Sequence, residues 1–212
     1  MARHPAALSH HPRTIAIMSY SPADSRARLL DIINRDAVQH GDFVLASGAR
    51  STFYVDMRQV TLSSEGSHLV GDVMLDLLID HGYAPGRISA VGGLTLGADP
   101  IALAIMYAAA RRNLTLDSFV VRKASKDHGM QRLVEGKNVR GRRVAVLEDT
   151  SSTGASALTA VEHLRREGAI TPVVATIINR SSVAREAVTG AGLDYLAAFD
   201  IHELDISEPI TN

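Results

Sequence analysis

Cysteine is absent from all 212 residues, and that gap excludes disulfides, thiolate catalysis and cysteine-ligated zinc together. Charge excess is also missing. The 22 Lys and Arg residues against 23 Asp and Glu leave a formal net charge of −1, which gives no basic face for nucleic acid. No apolar run approaches the roughly 18–20 residues that span a bilayer. The opening MARHPAALSHHPRTIAIMSYSP lacks the long apolar core of a signal peptide. Residues 1–20 therefore read as a disordered tail, with Met18 as an alternative start. The expected location is the cytoplasm, with no membrane and no nucleic-acid partner. Internal repeats, low-complexity tracts and interdomain linkers are lacking as well. A chain of this length with 46% apolar residues fills one sizeable core but not two full enzyme domains, so residues 21–212 are expected to form a single domain.

What is present alternates between helix and strand. Asp24 is a candidate cap for a first helix with Leu29, Leu30, Ile33 and Ala37 on one face, ending near Gly41. Short strands are predicted at 43–46 and 53–57. The pairs Leu69/Val70, Val73/Met74 and Leu77/Leu78 mark a second helix that stops at His81 and Gly82. A strand at 88–91 leads into Gly92 and Gly93, and Asp99–Pro100 supplies a cap and first-turn proline for the next helix. Further strands are expected at 119–121, 144–147, 173–178 and 195–199, with helices near 155–167 and 182–189. Continuous apolar strands alternating with helices imply an α/β fold with a parallel sheet covered on both faces.

The chemistry concentrates in RVAVLEDTSSTGASAL, residues 143–158. An apolar strand ends in Glu148 and Asp149. A hydroxyl- and glycine-bearing loop from Thr150 to Ser156 follows, and then an Ala- and Leu-rich helix. Paired carboxylates at a strand end can accept hydrogen bonds from neighbouring sugar hydroxyls. Backbone N–H groups at a helix start can hold a phosphate, with Gly154 allowing close approach. No Lys follows the glycine as in a Walker A loop, and no GxGxxG fingerprint is present. Upstream, FVVRKASKDHGMQRLVEG at 119–136 runs a short strand into Arg122, Lys123, Lys126, His128 and Arg132, with Gly129 and Gly136 as hinges. Basic side chains beside an acidic sugar site suit a polyanionic leaving group, and a Gly-hinged loop could close over it and exclude water. Loops after 88–91, 119–121, 144–147 and 173–178 would converge on the carboxyl edge of the sheet, where such folds bind ligands.

The strand–acid–loop–helix segment resembles the phosphoribosyl-pyrophosphate (PRPP) motif of type I phosphoribosyltransferases. The spacing R-K-x-x-K-x-H-G, followed by E-G, is similar to the catalytic loop of orotate phosphoribosyltransferases and is far more specific. FVLASGARSTFYVDMRQVTL at 43–62 resembles that family's S-G-x-x-S-x-x-Y-x-D segment, and VGGLTLGADPIALAI at 91–105 its pyrophosphate-binding loop. The resemblance spans about residues 24–200.

It implies the type I phosphoribosyltransferase fold with a small N-terminal hood. The implied reaction is Mg²⁺-dependent transfer of the phosphoribosyl group from PRPP to orotate. Glu148 and Asp149 would bind the ribose hydroxyls, while Thr150, Ser151, Ser152, Thr153, Gly154, Ala155 and Ser156 would wrap the 5′-phosphate. Arg122, Lys123, Lys126 and His128 would serve the pyrophosphate, with Lys126 and His128 catalytic. Arg180 would pair with the orotate carboxylate, and Ser152 would also touch orotate. Mg²⁺ would be held mainly by PRPP and water, with no direct protein ligand. Part of the basic loop would complete the neighbouring subunit's site, which implies a homodimer.

Some positions depart from the pattern. Ala46 stands where many members have Lys, Ala49 where they have Arg, and Leu96 where some have Lys. Two alternatives stay open at this point: a phosphoribosyltransferase for another nucleobase, and a PRPP-sensing regulator without turnover.

Overall fold

A computed structural model of the chain describes residues 21–44, 50–123 and 133–206. The tail before residue 21, Ala46, Ala49, Lys126, His128, Gly129 and Arg132 lie outside the described residues.

Helix α1 (Pro22–Ile32) opens the described chain. Its cap is Ser21, whose hydroxyl accepts from the Asp24 N–H at 3.2 Å. Pro22, which has no N–H to satisfy, takes the first helical position. Asp24 therefore sits inside the first turn, where its carboxylate accepts from Ser21 Oγ at 2.7 Å, rather than at the cap predicted for it. The helix also stops earlier than its apolar spacing suggests. It widens into a π-helical turn at Ile33–Ala37, and strand β1 (Val38–Val44) begins directly. β1 pairs antiparallel with β2 (Arg50–Val55) in a two-stranded hood. A one-turn helix, α2 (Arg58–Thr61), and the long α3 (Ser64–Asp80) follow.

The main sheet contains β3 (Ala90–Leu94), β4 (Asp117–Val121), β5 (Val134–Gly136), β6 (Arg143–Ser151), β7 (Ile170–Asn179) and β8 (Asp194–Asp200). Their spatial order is β5-β4-β3-β6-β7-β8. All neighbours run parallel except β5, a short edge strand antiparallel to β4. Alternate residues explain why the strands read as continuous apolar runs. Val91, Ala145, Leu147, Val173, Ala175 and Ile177 face α1, α3 and α4 (Ala98–Arg111). Ala90, Val144, Val146 and Val174 face α5 (Ala155–Arg166) and α6 (Ser182–Gly190). Both faces are thus buried, as parallel sheets require.

The strand order sets the position of the cleft. From β3 the chain moves outward to β4 and β5, then returns to β6 on the other side of β3. The connections leaving β3 and β6 therefore diverge, and the gap between them at the carboxyl edge is the topological switch point.

Candidate active site

A cavity of about 540 Å³ opens at this switch point. Its walls come from three places. The β3–α4 connection supplies Leu94–Ala98, the end of β6 supplies Leu147–Thr150, and the end of the hood with the start of α2 supplies Tyr54–Arg58. Lys123, Ser156 and Ala157 complete the lining.

The acid pair belongs to the strand itself, not to the loop after it, because β6 runs on through Ser151. Glu148 lies opposite Thr176 and Ser151 opposite Asn179 in the ladder with β7. Backbone pairing thus fixes both carboxylates in place before any loop begins. Glu148 Oε2 is buried without a hydrogen-bond partner. Burial, reinforced by the neighbouring Asp149 charge, pushes the Glu148 carboxyl up to about 7, although the Ser151 and Ser156 hydroxyls pull it the other way. Burial also raises Asp149, against the opposing effect of the Thr150 N–H and the Arg58 charge. That N–H donates to Asp149 Oδ1 at 2.7 Å. Two desolvated acids side by side, one with an unused acceptor, form a site that gains from donors brought by a ligand.

The turn after β6 spans only residues 152–154. Gly154 adopts φ +73°, the left-handed conformation that side chains disfavour, and α5 starts at the next residue. The first-turn N–H groups of α5 thus lie at the cavity rim, the arrangement that holds phosphate elsewhere. Thr150 and Ser156 line the cavity. Ser152 and Thr153 are exposed, and Thr153 Oγ1 accepts from the Ala155 N–H at 3.4 Å. Ser151 is fully buried, and its Oγ makes no hydrogen bond of ordinary geometry, although it lies near enough to Glu148 to favour that carboxylate.

Across the cavity α4 begins at Ala98, with Gly97 in the cap position. Asp99 lies in the first turn and not at the predicted cap. Its Oδ2 accepts from Thr95 Oγ1 at 2.6 Å, which ties the loop to the helix. A side chain at Gly97 would stand 3.0 Å from Asp149 Oδ1, so only glycine lets this loop approach the acid without pressing on it.

Of the basic loop, Lys123 lines the cavity. Arg122 follows β4 directly; its N–H donates to the Leu133 carbonyl at 2.8 Å and its guanidinium lies 3.8 Å from Glu135. Lys126 and His128 lie outside the described residues. Arg180 follows β7, and its N–H donates to the Ser151 carbonyl at 2.8 Å. It shares the sheet edge with the acid pair, although its side chain is not in the cavity lining.

The hood contributes residues that sequence reasoning did not assign to the site. Tyr54, Asp56 and Arg58 all line the cavity. The S-x-x-Y-x-D pattern was the available signal for the first two. Behind Glu148 lies a second unassigned group: Tyr195 donates through its hydroxyl to Asn179 Oδ1 at 3.1 Å, and Asn179 Nδ2 donates to Asp200 Oδ1 at 2.6 Å.

Among the described residues no cluster of three His, Asp or Glu side chains could hold a metal, and no helix is long and apolar enough to cross a membrane. The oxygen donors at hand are carboxylates and hydroxyls, which suit a hard cation that arrives with phosphate and water.

No protein-family model matches the chain. It is 51% identical over 184 residues to the orotate phosphoribosyltransferase of Streptomyces avermitilis, covering 86% of this chain and 98% of that protein. The crystal structure of Mycobacterium tuberculosis orotate phosphoribosyltransferase in complex with Fe(III) dicitrate matches with a TM-score of 0.74 at 46% identity, over 85% of this chain and 99% of that one. The same enzyme in complex with PRPP matches with a TM-score of 0.71 at 41% identity, over 84% and 98% of the two chains. Identity at this level over nearly the full length of those proteins, with a matching sheet and a buried acid pair at its switch point, shows that the chain is a transferase of type I phosphoribosyltransferase fold and belongs to the orotate phosphoribosyltransferase family.

Proposed function

We propose that the cavity at the β3–β6 switch point transfers the 5-phosphoribosyl group from PRPP to orotate, giving orotidine 5′-monophosphate and pyrophosphate. The observation that carries this reading is the buried Glu148–Asp149 pair on β6, set immediately before the left-handed Gly154 and the start of α5. The two acids accept hydrogen bonds from the ribose hydroxyls. The 5′-phosphate sits on the N-terminal turn of α5, within the stretch Thr150–Ser156. A bond forms between orotate N1 and ribose C1 while the C1–oxygen bond breaks; pyrophosphate leaves with the electron pair and takes up the proton that N1 gives up. No covalent enzyme intermediate is needed. The protein positions two substrates and stabilises charge that develops in opposite senses on ribose and leaving group.

Arg122, Lys123, Lys126 and His128 serve the pyrophosphate, with Lys126 and His128 catalytic. Arg180 and Ser152 receive orotate. Mg²⁺ carried by PRPP and water would offset phosphate charge, a role that fits the carboxylate and hydroxyl oxygens in the cavity lining. Residues 21–212 act as one domain. The working form is a cytoplasmic homodimer in which part of the basic loop completes the partner's site.

The test is purified protein with Mg²⁺ and PRPP, following loss of orotate's ultraviolet absorbance and offering uracil in parallel. A site built to pair a cation with the orotate carboxylate rejects the analogue lacking it. Orotate should be consumed and uracil should not. Robust turnover of uracil, adenine or hypoxanthine in place of orotate would overturn the assignment.

A further inference from the structure

We propose that Arg58 is a substrate-binding residue, a guanidinium fork that Asp56 holds at the cavity wall so that it donates to the pyrophosphate group of PRPP. The proposal rests on PRPP being the substrate.

Three observations converge on it. The first is preorganisation. Asp56 Oδ1 accepts from Arg58 Nε at 2.7 Å and from the Arg58 backbone N–H at 3.1 Å, and its Oδ2 accepts from Arg58 Nη2 at 2.9 Å. The Asp56 side chain is only 12% exposed, while that of Arg58 is 52% exposed. The anchor is therefore set in the protein and the fork reaches into the opening. Asp56 engages two of the five side-chain N–H groups of an arginine, which leaves three for a ligand. A fork already fixed on one edge loses little rotamer freedom when it binds a second anion.

The second observation is charge balance. Setting Arg58 aside, the described lining of the cavity carries three carboxylates, Asp56, Glu148 and Asp149, against one cation, Lys123. A ligand with a diphosphate needs more positive charge than that, and the β3–α4 wall does not provide it. There Leu96 presents an apolar side chain, with the residue 67% exposed. Arg58 is the cation that the hood places in the same cavity.

The third is position. The Arg58 charge is felt at Asp149, the acid assigned to the ribose hydroxyls. Pyrophosphate hangs from C1 of that ribose, so a fork within electrostatic range of Asp149 lies near the leaving group. The orotate carboxylate is the other anion the fork could take, but it carries a single charge and already has Arg180 assigned to it.

Titration calorimetry on the full-length protein with Mg²⁺ separates these roles, using PRPP, inorganic pyrophosphate, ribose 5-phosphate and orotate as separate probes. Arg58→Gln should weaken PRPP and pyrophosphate at least tenfold while leaving ribose 5-phosphate and orotate within about twofold. Arg58→Lys should recover part of the loss by restoring a point charge without the fork. Asp56→Asn should fall between wild type and Arg58→Gln, since the charge stays but its anchor weakens. Unchanged pyrophosphate affinity in Arg58→Gln, with wild type binding PRPP normally, overturns the role of Arg58 and leaves the reaction intact. A loss confined to orotate moves Arg58 to the carboxylate and equally overturns the proposal. An equal loss for all four probes, not relieved by Arg58→Lys, marks a purely structural residue. Wild-type protein that binds no PRPP overturns the underlying reading and the Arg58 assignment with it.

Discussion

Replacing Glu148 with Gln tests the electrostatics of the site without any substrate. In the free protein Glu148 is buried, Oε2 has no hydrogen-bond partner, and the carboxyl is raised from an ordinary 4.5 to about 7. The native state therefore keeps a proton over a pH range in which the unfolded chain has already lost it. Stability from that proton is fully present below about pH 4.5 and is lost as pH climbs through about 7. A shift of this size amounts to about 3 kcal/mol. Gln cannot ionise and escapes the loss. Whatever offset the substitution itself introduces, Glu148→Gln should gain about 3 kcal/mol relative to wild type between pH 4.5 and pH 8. Urea unfolding without PRPP measures this. With slopes of roughly 1–3 kcal/mol/M, the midpoint difference between the two proteins should grow by about 1–3 M over that interval. PRPP should reverse the effect, because ribose hydroxyls donating to the carboxylate favour its charged form. Wild type should then release a proton on binding near pH 6.5 that the variant does not, seen as buffer-dependent binding enthalpy. A midpoint difference that does not change with pH would show that Glu148 titrates as an ordinary surface acid and would refute the reasoning.

Gly97→Ala should press on Asp149, since the added carbon would lie 3.0 Å from Oδ1 and 3.1 Å from Cγ. The carboxylate can swing toward the cavity, so unfolding should change little while PRPP binding weakens about threefold to tenfold, roughly 1 kcal/mol of misfit; calorimetry and a melting curve on one sample check both. Mixing Lys126→Ala and Asp149→Asn homodimers under subunit exchange should restore activity toward half that of wild type, because one site of each heterodimer then carries neither lesion. A mixture no more active than its parents, with exchange shown independently, would remove Lys126 from the partner's site.

Much of this site was legible in the chain because its parts are contiguous. Strand, acid pair, glycine and helix follow one another from Val144 to Leu158, and the structure keeps them together. The boundary of β6 was less legible: Thr150 and Ser151 are polar and read as loop, yet their pairing with Ile178 and Asn179 holds them in the ladder. Local capping rules chose between near-equivalent acceptors and missed. Ser21 and Asp24 both suit a cap, and Pro22 at the first helical position decides for Ser21. The end of α1 was misread because Ala37 continues the apolar spacing, while the hood strand that begins at Val38 is fixed by its partner Val55 seventeen residues on. β5 is three residues long and carries no periodicity of its own. Arg58 was invisible as a site residue for the same reason of distance. Nothing within the hood segment says which cavity it faces, and only the packing of Met57 and Val60 into the core shared with α1 and α3 turns that segment toward Asp149.

The most direct test of the account compares wild type with Asp149→Asn in the presence of Mg²⁺, PRPP and orotate, recording orotate loss and pyrophosphate release together. Asp149 lines the cavity beside Glu148, and under the proposed reaction its replacement would remove a charge-assisted hydrogen bond to the ribose, at a cost of about 1.5–3 kcal/mol. Wild type should consume orotate and release pyrophosphate one for one. The variant should keep its fold and its melting behaviour while kcat/KM for PRPP falls roughly tenfold to a hundredfold. Undiminished turnover in Asp149→Asn, or orotate loss without matching pyrophosphate, would contradict the assignment of the reaction to this cavity.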